Sequence, residues 1–246
     1  MSTVWDPSLY LAFDDDRARP FHDLLARIAA TTPRRVVDLG CGPGNLTEVL
    51  RTHWPGALVS ALDSSAEMVA AARERGVDAE QADVTRWTPP PDADVVVTNA
   101  VLQWVPRHLD LLPKWLRAMP SGAWFAMQVP ANFAAPSHTL PRDLAPAVPA
   151  LGAAVASPAE YADVLAGVAA HVDVWETTYL HQLTGEDPVL RWVSSTALRP
   201  VRDALPEADY ATFRAELARR LRAAYPARSD GTTWFPFRRV FAVART

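Results

Sequence analysis

Three glycines at alternate positions, followed by two widely spaced aspartates, are the residues of this sequence best suited to binding chemistry. The glycines lie in Val36–Leu50, VVDLGCGPGNLTEVL, where the absence of side chains allows a ligand to approach the main chain closely. Asp63 follows about twenty residues later, the separation at which a carboxylate accepts hydrogen bonds from both hydroxyls of a ribose. Asp83 offers a carboxylate to an exocyclic amine, and Val84 beside it offers an apolar surface to an adenine ring. The pattern therefore predicts an adenosine site.

The same spacing bears on two kinds of phosphate site. A P-loop requires Gly-Lys-Ser/Thr, and the single lysine among the 24 basic residues, Lys114, lies elsewhere in the chain. The dinucleotide fingerprint G-x-G-x-x-G begins at Gly40 and Gly42, but its third position is Asn45 and the third glycine comes early, at Gly44. An ATP or GTP site of the P-loop type is therefore excluded and a nicotinamide dinucleotide is disfavoured. An adenosyl ligand without a phosphate chain needs no lysine.

Alternating strands and helices are predicted to position these residues. Arg35–Leu39 is short, rich in β-branched residues and flanked by Pro33 and Gly40, which is typical of a buried strand in a parallel sheet. Further strands are predicted at Leu58–Leu62, Asp78–Ala82, Asp94–Thr98 and Ala123–Val129. Helices are predicted at Asn45–Trp54, after a capping box formed by Ser64 and Glu67, and over His108–Met119. This alternation predicts right-handed βαβ units and hence a doubly wound α/β sheet.

Polar residues fall at the carboxyl ends of four consecutive predicted strands. Asp38, Asp63, Asp83 and Asn99 are the residues concerned. Ligands of doubly wound sheets bind at this edge. Each residue alone is equally well explained as a helix cap or a turn former. Four of them, in register with a glycine turn, favour a shared ligand.

Length and composition describe one domain with a sizeable core. The chain has 246 residues, 49% of them hydrophobic, and its apolar runs fall short of the roughly 20 residues that cross a bilayer. Because Met1 opens onto polar residues, we expect a cytoplasmic protein without a membrane anchor. The single cysteine, Cys41, excludes an internal disulfide and a Cys-clustered metal site, and no other spacing predicts a metal. The net charge of −4 argues against nucleic acid as a partner, and no pattern identifies a protein partner.

The stretch VVDLGCGPG, Asp63 and the motif ADV at 82–84 resemble the nucleotide half of the class I S-adenosylmethionine-dependent methyltransferases. The resemblance runs over about Arg34–Val129 and implies a cofactor-binding half at residues 34–130. It implies S-adenosylmethionine as the cofactor. The residues predicted to bind it are Asp38, Gly40, Cys41, Gly42, Gly44, Asp63, Ser64, Met68, Asp83, Val84, Asn99, Ala100, Gln103 and Trp104.

Segments outside the glycine motif, both within this half and beyond it, resemble the trans-aconitate 2-methyltransferase family, so the similarity spans nearly the whole chain. They include TNAVLQWVPRH at 98–108, QVPANFAAPSH at 128–138 and WVSSTALRP at 192–200. Ala197, in the last of these, stands where the family usually has glycine, which leaves the role of that segment less certain. The implied reaction is methyl transfer to a carboxylate of trans-aconitate, which gives the monomethyl ester and S-adenosylhomocysteine.

The family also implies how the rest of the domain is built. It implies a seven-stranded sheet whose last strand is antiparallel, and a helical lid from residues 135–156 and 187–228. Beyond the fifth strand the sequence fits a helix at Pro158–Ala169, strands at His171–His181 and Thr233–Ala244, and two or three helices within Asp187–Tyr225. Pro236 predicts that the final strand lies near a sheet edge or bends at its start.

The implied substrate is a small tricarboxylate, which determines the catalytic requirement. A carboxylic acid is already ionised at neutral pH, so no general base is needed and no catalytic acid or base is assigned. Catalysis is expected from positioning, with Trp104 and Arg199 as the positioning residues. Guanidinium groups match carboxylates bidentately, and the arginines considered are Arg17, Arg19, Arg199, Arg238 and Arg239. The residues predicted to bind the substrate are Tyr10, Arg17, His138, Tyr179 and Arg199.

Two alternatives stay open at this stage. The same nucleotide half serves methyltransferases that act on another small acid or on a hydroxyl. A protein that binds the cofactor without turnover would have a similar sequence.

Overall fold

The computed structural model describes residues 14–148, 155–194 and 197–246, except for the side chains of residues 14–17 and 199. Its strands are β1 (Arg35–Leu39), β2 (Leu58–Asp63), β3 (Ala79–Gln81), β4 (Ala93–Asn99), β5 (Trp124–Pro130), β6 (His171–Leu183) and β7 (Thr233–Arg245). They form a seven-stranded sheet in the order β3-β2-β1-β4-β5-β7-β6. The predicted doubly wound α/β sheet is confirmed.

The first five strands are parallel. β1 pairs with both β2 and β4, β2 with β3, and β4 with β5. Strands β2 and β3 therefore extend the sheet on one side of β1, and β4 and β5 extend it on the other side. The carboxyl ends of β1 and β4 lie at this reversal, which is the place where doubly wound sheets bind ligands.

The last strand, β7, is antiparallel to β5. The amide of Thr246 donates to the Ala123 carbonyl, and the amide of Ala131 donates to the Arg238 carbonyl, so partner numbers fall along β7 as they rise along β5. The antiparallel strand that the resemblance implies is therefore present. Pro236 predicted a strand near a sheet edge or bent at its start, and β7 does lie near an edge, between β5 and the edge strand β6. Pro236 is tolerated near the start of the strand, where it is exposed and its carbonyl oxygen accepts a hydrogen bond from the Asn132 amide.

Helices connect the strands. They are α1 (Asp14–Leu25), α2 (Asn45–His53), α3 (Ala66–Glu74), α4 (Leu112–Ala118), α5 (Pro136–Leu144), α6 (Pro158–Ala166), α7 (Pro188–Ser194), α8 (Arg199–Ala204) and α9 (Glu207–Ala224). Short 3₁₀ helices lie at Val84–Arg86, Leu102–Trp104 and His108–Asp110. The last three α-helices agree with the two or three helices predicted within Asp187–Tyr225.

Two predicted helix starts differ from the structure. The cap of α3 is Ser65, one residue later than predicted, and its hydroxyl oxygen accepts from the Met68 amide. The predicted capping box of Ser64 and Glu67 is not formed, because the third residue after the cap is Met68. The helix predicted over His108–Met119 is two elements, because Pro113 has no amide to donate and fits only the first turn of α4.

The chain forms two compact units. The first comprises the chain up to Val129 with Ala156–Glu176 and Val240–Thr246, and the second comprises Pro130–Val155 and Thr177–Arg239. The second unit contains almost all of the segments predicted to form a lid, and their covering role stays a prediction. Within the described ranges, no helix has the length and apolar character needed to span a membrane.

Candidate functional site

The glycine turn after β1 has a conformation that only glycine adopts easily. Gly40, Gly42 and Gly44 have φ of +78°, +57° and +83°. The amides of Gly40 and Cys41 both donate to the Leu62 carbonyl at 2.8 and 3.0 Å, which fastens the turn to the end of β2. A Cβ added to Gly40 would lie 2.2 Å from Val101 Cγ2, whereas one added to Gly42 would meet no atom within 4 Å. Glycine is therefore required at position 40 for two reasons: the backbone φ is left-handed, and a Cβ would overlap the Val101 side chain.

Asp63, the last residue of β2, joins that turn to the next helix. Its Oδ2 accepts from the Gly42 amide at 2.9 Å, and its Oδ1 accepts from the Ser65 amide at 2.9 Å. Burial raises the pKa of this carboxyl, and the backbone hydrogen bonds oppose the shift. Each carboxylate oxygen has a second lone pair, so both can also accept from a ligand hydroxyl.

Asp38 has a different role from the one predicted. It is 3% exposed, and its Oδ2 accepts from the Thr47 hydroxyl at 2.6 Å, which ties β1 to α2. The residue does not line the cavity at the strand ends. Burial of the charge raises its pKa to about 6, even though the Thr47 hydrogen bond lowers it.

Replacement of Asp38 by asparagine tests whether burial of the charge raises the pKa of Asp38. Because the folded-state pKa is above the usual 3.8, the buried charge costs free energy above pH 6, and stability is regained as the pH falls from 6 towards 4. A shift of this size corresponds to roughly 3 kcal/mol. Asp38→Asn retains an acceptor for Thr47, so we expect it to be about 1–2 kcal/mol more stable than the wild type at pH 8. Urea unfolding at pH 4.5 and pH 8 measures the difference. An equal effect of the mutation at both pH values would contradict the assigned cause.

The ends of β3 and β4 complete the edge of the sheet. Asp83 is exposed, and its Oδ1 accepts from the Thr85 amide at 2.8 Å, which holds its pKa below the usual range. Ala100, directly after β4, has a left-handed φ of 57°, and its amide donates to the Gln128 carbonyl at 2.9 Å. A non-glycine residue in this region stores backbone strain, which proteins retain most often at ligand sites.

A cavity of about 410 Å³ lies at these strand ends, within the first unit. This is within the range of volumes of ordinary ligand pockets. Ten of the residues predicted to bind the cofactor line this cavity: Gly40, Gly42, Asp63, Ser64, Met68, Asp83, Val84, Asn99, Ala100 and Trp104. Trp104 is 45% exposed, so a large aromatic surface borders the cavity. Residues from the ends of β1 to β4 therefore meet at one cavity.

Four residues of the predicted cofactor set do not line this cavity: Asp38, Cys41, Gly44 and Gln103. The Cys41 side chain packs among core residues that include Ala61 and Val69, and burial raises the pKa of its thiol, so it stays protonated at neutral pH. Gly44 caps α2, where an added Cβ would lie 3.1 Å from Ala72. The Gln103 amide group donates to the Ala100 carbonyl at 2.6 Å. These residues support the glycine turn after β1 and the loop after β4 without lining the cavity.

Five lining residues were not predicted: Pro43, Thr85, Val101, Val105 and Pro106. Most are apolar loop residues, and their types carry no chemical signal. Their position in the sequence was the one indication that they would line the cavity, because each lies within two residues of a predicted cavity residue.

The cavity suits an adenosyl sulfonium. Asn99 Oδ1 and Gln103 Oε1 are buried acceptors without a hydrogen-bond partner in the described part of the chain. Asn99 lines the cavity, and a free acceptor there fits a ligand that carries an ammonium group. Asp63 fits a ribose, and the glycine turn leaves room beside the main chain. The described residues contain no group of three metal-ligating side chains.

The residues predicted to bind substrate are only partly described. Tyr10 and the side chains of Arg17 and Arg199 lie outside the described part. His138 and Tyr179 belong to the second unit. The His138 ring lies against Phe133 and Phe237, and burial lowers its pKa to about 4. It is therefore neutral at pH 7 and carries no charge that could neutralise a carboxylate.

Two further features of the second unit bear on substrate binding. Tyr179 is 3% exposed and stacks on His181, with ring centroids 6.2 Å apart. Arg239 is 5% exposed and lies over the Phe237 ring at 4.8 Å. A guanidinium in such an apolar setting is well suited to an anionic partner.

Comparison with known proteins identifies the family of the chain. A family model described as a methyltransferase domain matches residues 13–186. The chain is 58% identical to the trans-aconitate 2-methyltransferase of Rhodococcus jostii over 252 residues, which are 98% of this chain and 99% of that protein. It is 58% identical to the enzyme of the same name from Mycobacterium sp. strain KMS, over 99% of this chain and 100% of that protein.

A solved structure gives the fold comparison. Geranyl diphosphate C-methyltransferase from Streptomyces coelicolor, in complex with S-adenosylhomocysteine, matches with a TM-score of 0.54 and 12% identity. The match covers 97% of this chain and 82% of that one. At this identity the likeness is one of fold alone.

Proposed function

Because the chain belongs to the trans-aconitate 2-methyltransferase family, we propose that it transfers a methyl group from S-adenosylmethionine to a carboxylate oxygen of trans-aconitate. The observation that carries the proposal is the 58% identity to enzymes of that name over nearly the full length of both chains. The products are the monomethyl ester and S-adenosylhomocysteine.

S-Adenosylmethionine, when bound, supplies an electrophilic methyl group on a positively charged sulfur. We place its ribose at Asp63 and its adenine between Asp83 and Val84, which border the cavity. Asn99 would accept from its cationic end, and the Trp104 ring would attract that charge through its face. Gly40 and Gly42 leave the main chain open to close approach.

The residues of the chain then act by orientation. An ionised carboxylate oxygen would form its C–O bond as the S–C bond breaks, so no residue of the chain would need to accept or donate a proton. This agrees with the protonated Cys41 thiol and the neutral His138 ring, neither of which is required as a base. Holding the oxygen in line with the methyl carbon can contribute roughly 7–11 kcal/mol.

Charge neutralisation is assigned to arginine. We propose Arg199 as the residue that anchors a substrate carboxylate, with Arg17, Tyr10, His138 and Tyr179 as further substrate contacts. The neutral state of His138 limits it to hydrogen bonding. Arg199→Ala should therefore raise the KM for the acid while the affinity for S-adenosylhomocysteine stays unchanged.

The proposed function is tested with purified protein, S-adenosylmethionine and a panel of acids. We expect stoichiometric formation of S-adenosylhomocysteine and a monomethyl ester with trans-aconitate, and weaker turnover with cis-aconitate, isocitrate and citrate. Liquid chromatography with mass spectrometry measures both products. Turnover that favours another acid or a hydroxyl would reassign the substrate. Binding of S-adenosylhomocysteine without turnover of any panel member would indicate a cofactor-binding protein.

A further inference from the structure

One wall of the cavity is a loop whose backbone hydrogen bonds are local and whose Leu102 and Val105 side chains are buried. Ala100, Val101, Trp104, Val105 and Pro106 all line the cavity. Within the loop, the Trp104 amide donates to the Val101 carbonyl at 2.9 Å, and the Val105 amide donates to the Leu102 carbonyl at 3.1 Å. Such 3₁₀ turns are weak by themselves. The order of this wall therefore depends on the packing of the Leu102 and Val105 side chains and on how the two ends of the loop are attached.

The start of the loop is attached to the sheet, and its far end is attached to α6. Ala100 donates to Gln128 of β5, as described above. At the far end, His108 Nε2 lies 2.7 Å from the Tyr161 hydroxyl, and His108 Nδ1 lies 3.1 Å from the Val105 carbonyl oxygen. The His108 and Tyr161 rings are stacked, with centroids 5.7 Å apart. A side chain 53 residues away in sequence is thus linked to a residue of the cavity wall.

The two hydrogen bonds have a defined direction. Burial lowers the pKa of His108, which keeps the ring neutral at pH 7 with a single N–H. The Val105 carbonyl can only accept, so this N–H is on Nδ1. Nε2 therefore accepts, and the Tyr161 hydroxyl donates to it. Tyr161 is completely buried, and its helix begins with a capping box between Ser157 and Glu160, so the donor has a fixed position.

We propose that Tyr161 and His108 are positioning residues that hold the Val101–Pro106 wall in its binding shape and thereby set the affinity for the adenosyl ligand. The identity of that ligand rests on the proposed function. Neither side chain lines the cavity, so neither would touch the ligand. Because the pair acts on the wall, which includes Trp104, its loss weakens cofactor binding without removing any side chain that touches the ligand.

Three single variants separate the effect of the Tyr161–His108 hydrogen bond from that of the His108–Val105 hydrogen bond. Tyr161→Phe retains the ring stack but removes both the donor to His108 and the acceptor of the Ala156 amide. His108→Asn places an amide N–H where Nδ1 was and retains the side-chain bond to Val105. His108→Gln reaches towards Tyr161 and gives up that side-chain bond, while the backbone amide of residue 108 still donates to the Val105 carbonyl. Loss of one hydrogen bond should raise the Kd for S-adenosylhomocysteine about three- to tenfold. The KM for S-adenosylmethionine should rise in parallel, while the KM for the acid stays within twofold.

A ligand-free measurement accompanies the titrations. Amide hydrogen exchange over residues 101–108, without any ligand, should be faster in all three variants than in the wild type. The double variant Tyr161→Phe/His108→Asn should bind no more weakly than either single variant, because each of these changes breaks the same link. Tyr210→Phe in α9, which removes a hydroxyl from the second unit, is the matched control and should change neither exchange nor affinity.

Two results would overturn the proposal. One is unchanged exchange over residues 101–108 in folded Tyr161→Phe and His108→Asn proteins. The other is a loss of thermal stability in these variants with wild-type affinity for S-adenosylhomocysteine. If the wild type itself binds no S-adenosylhomocysteine, the proposed cofactor fails, and the ligand-free exchange still decides the role of the pair.

Discussion

Gly40→Ala is expected to destabilise the protein by about 3 kcal/mol and to raise the Kd for S-adenosylhomocysteine more than a hundredfold. The left-handed φ of +78° costs an alanine roughly 1–2 kcal/mol. The new Cβ would also lie 2.2 Å from Val101 Cγ2, and overpacking of this kind costs about 1–3 kcal/mol. Because Val101 lines the cavity, relief of the overlap moves either the turn or the wall. Urea unfolding and titration calorimetry measure the two effects.

Two further variants isolate the cause. Gly42→Ala has a similar backbone requirement but no atom within 4 Å of the new Cβ, so it should lose only about 1 kcal/mol of stability. Val101→Ala, added to Gly40→Ala, removes the two closest overlapping atoms and should restore part of the stability. Equal destabilisation by the Gly40 and Gly42 variants, with no restoration by the Val101 change, would show that backbone conformation alone explains the glycines.

Asp63→Ala is expected to raise the Kd for S-adenosylhomocysteine by roughly 100- to 1000-fold. Hydrogen bonds to a charged acceptor contribute about 1.5–3 kcal/mol each, and two ribose hydroxyls would lose their partner. The mutation also removes the acceptor of the Gly42 and Ser65 amides, so part of the loss would arise from a looser turn. Titration calorimetry gives the total effect.

A pair of ligands separates the two contributions. Methylthioadenosine and its 2′-deoxy form differ by one hydroxyl that the proposed site assigns to Asp63. The wild type should discriminate between them, and Asp63→Ala should bind both with similar, weak affinity. Glu80→Gln, an exposed acidic residue of β3, serves as the charge control and should bind both like the wild type. A wild type that binds the two ligands equally would contradict the assignment of the ribose.

The fold was predictable because its signals are local and repeated. Residues such as Val36 and Val37 make β1 a buried strand, and the same alternation of strand and helix recurs through β5. Parallel strands share one carboxyl edge, so polar residues at their ends were expected to meet. Asp63, Asp83 and Asn99 do line one cavity. Their cofactor-binding role stays a prediction until a ligand is measured.

The predictions that differ from the structure concern orientation and distant contacts. Asp38 is at a strand end as expected, but its side chain faces Thr47 of α2 instead of the cavity. Pro236 predicted a strand near an edge or bent at its start, and only the sheet order shows that β7 lies one strand in from the edge, between β5 and β6. A residue type restricts local conformation, while the side it faces is decided by packing.

The sequence by itself determined the α/β fold, the glycine turn and the acidic residues that suit an adenosyl ligand, because residue type and spacing fix backbone conformation and chemical capacity. Only the tertiary structure decided which of these residues border the cavity. It alone joined His108 to Tyr161 and brought Val101 against Gly40. The physical reason is that contacts between distant segments depend on how helices and strands pack, which no local pattern of residues specifies.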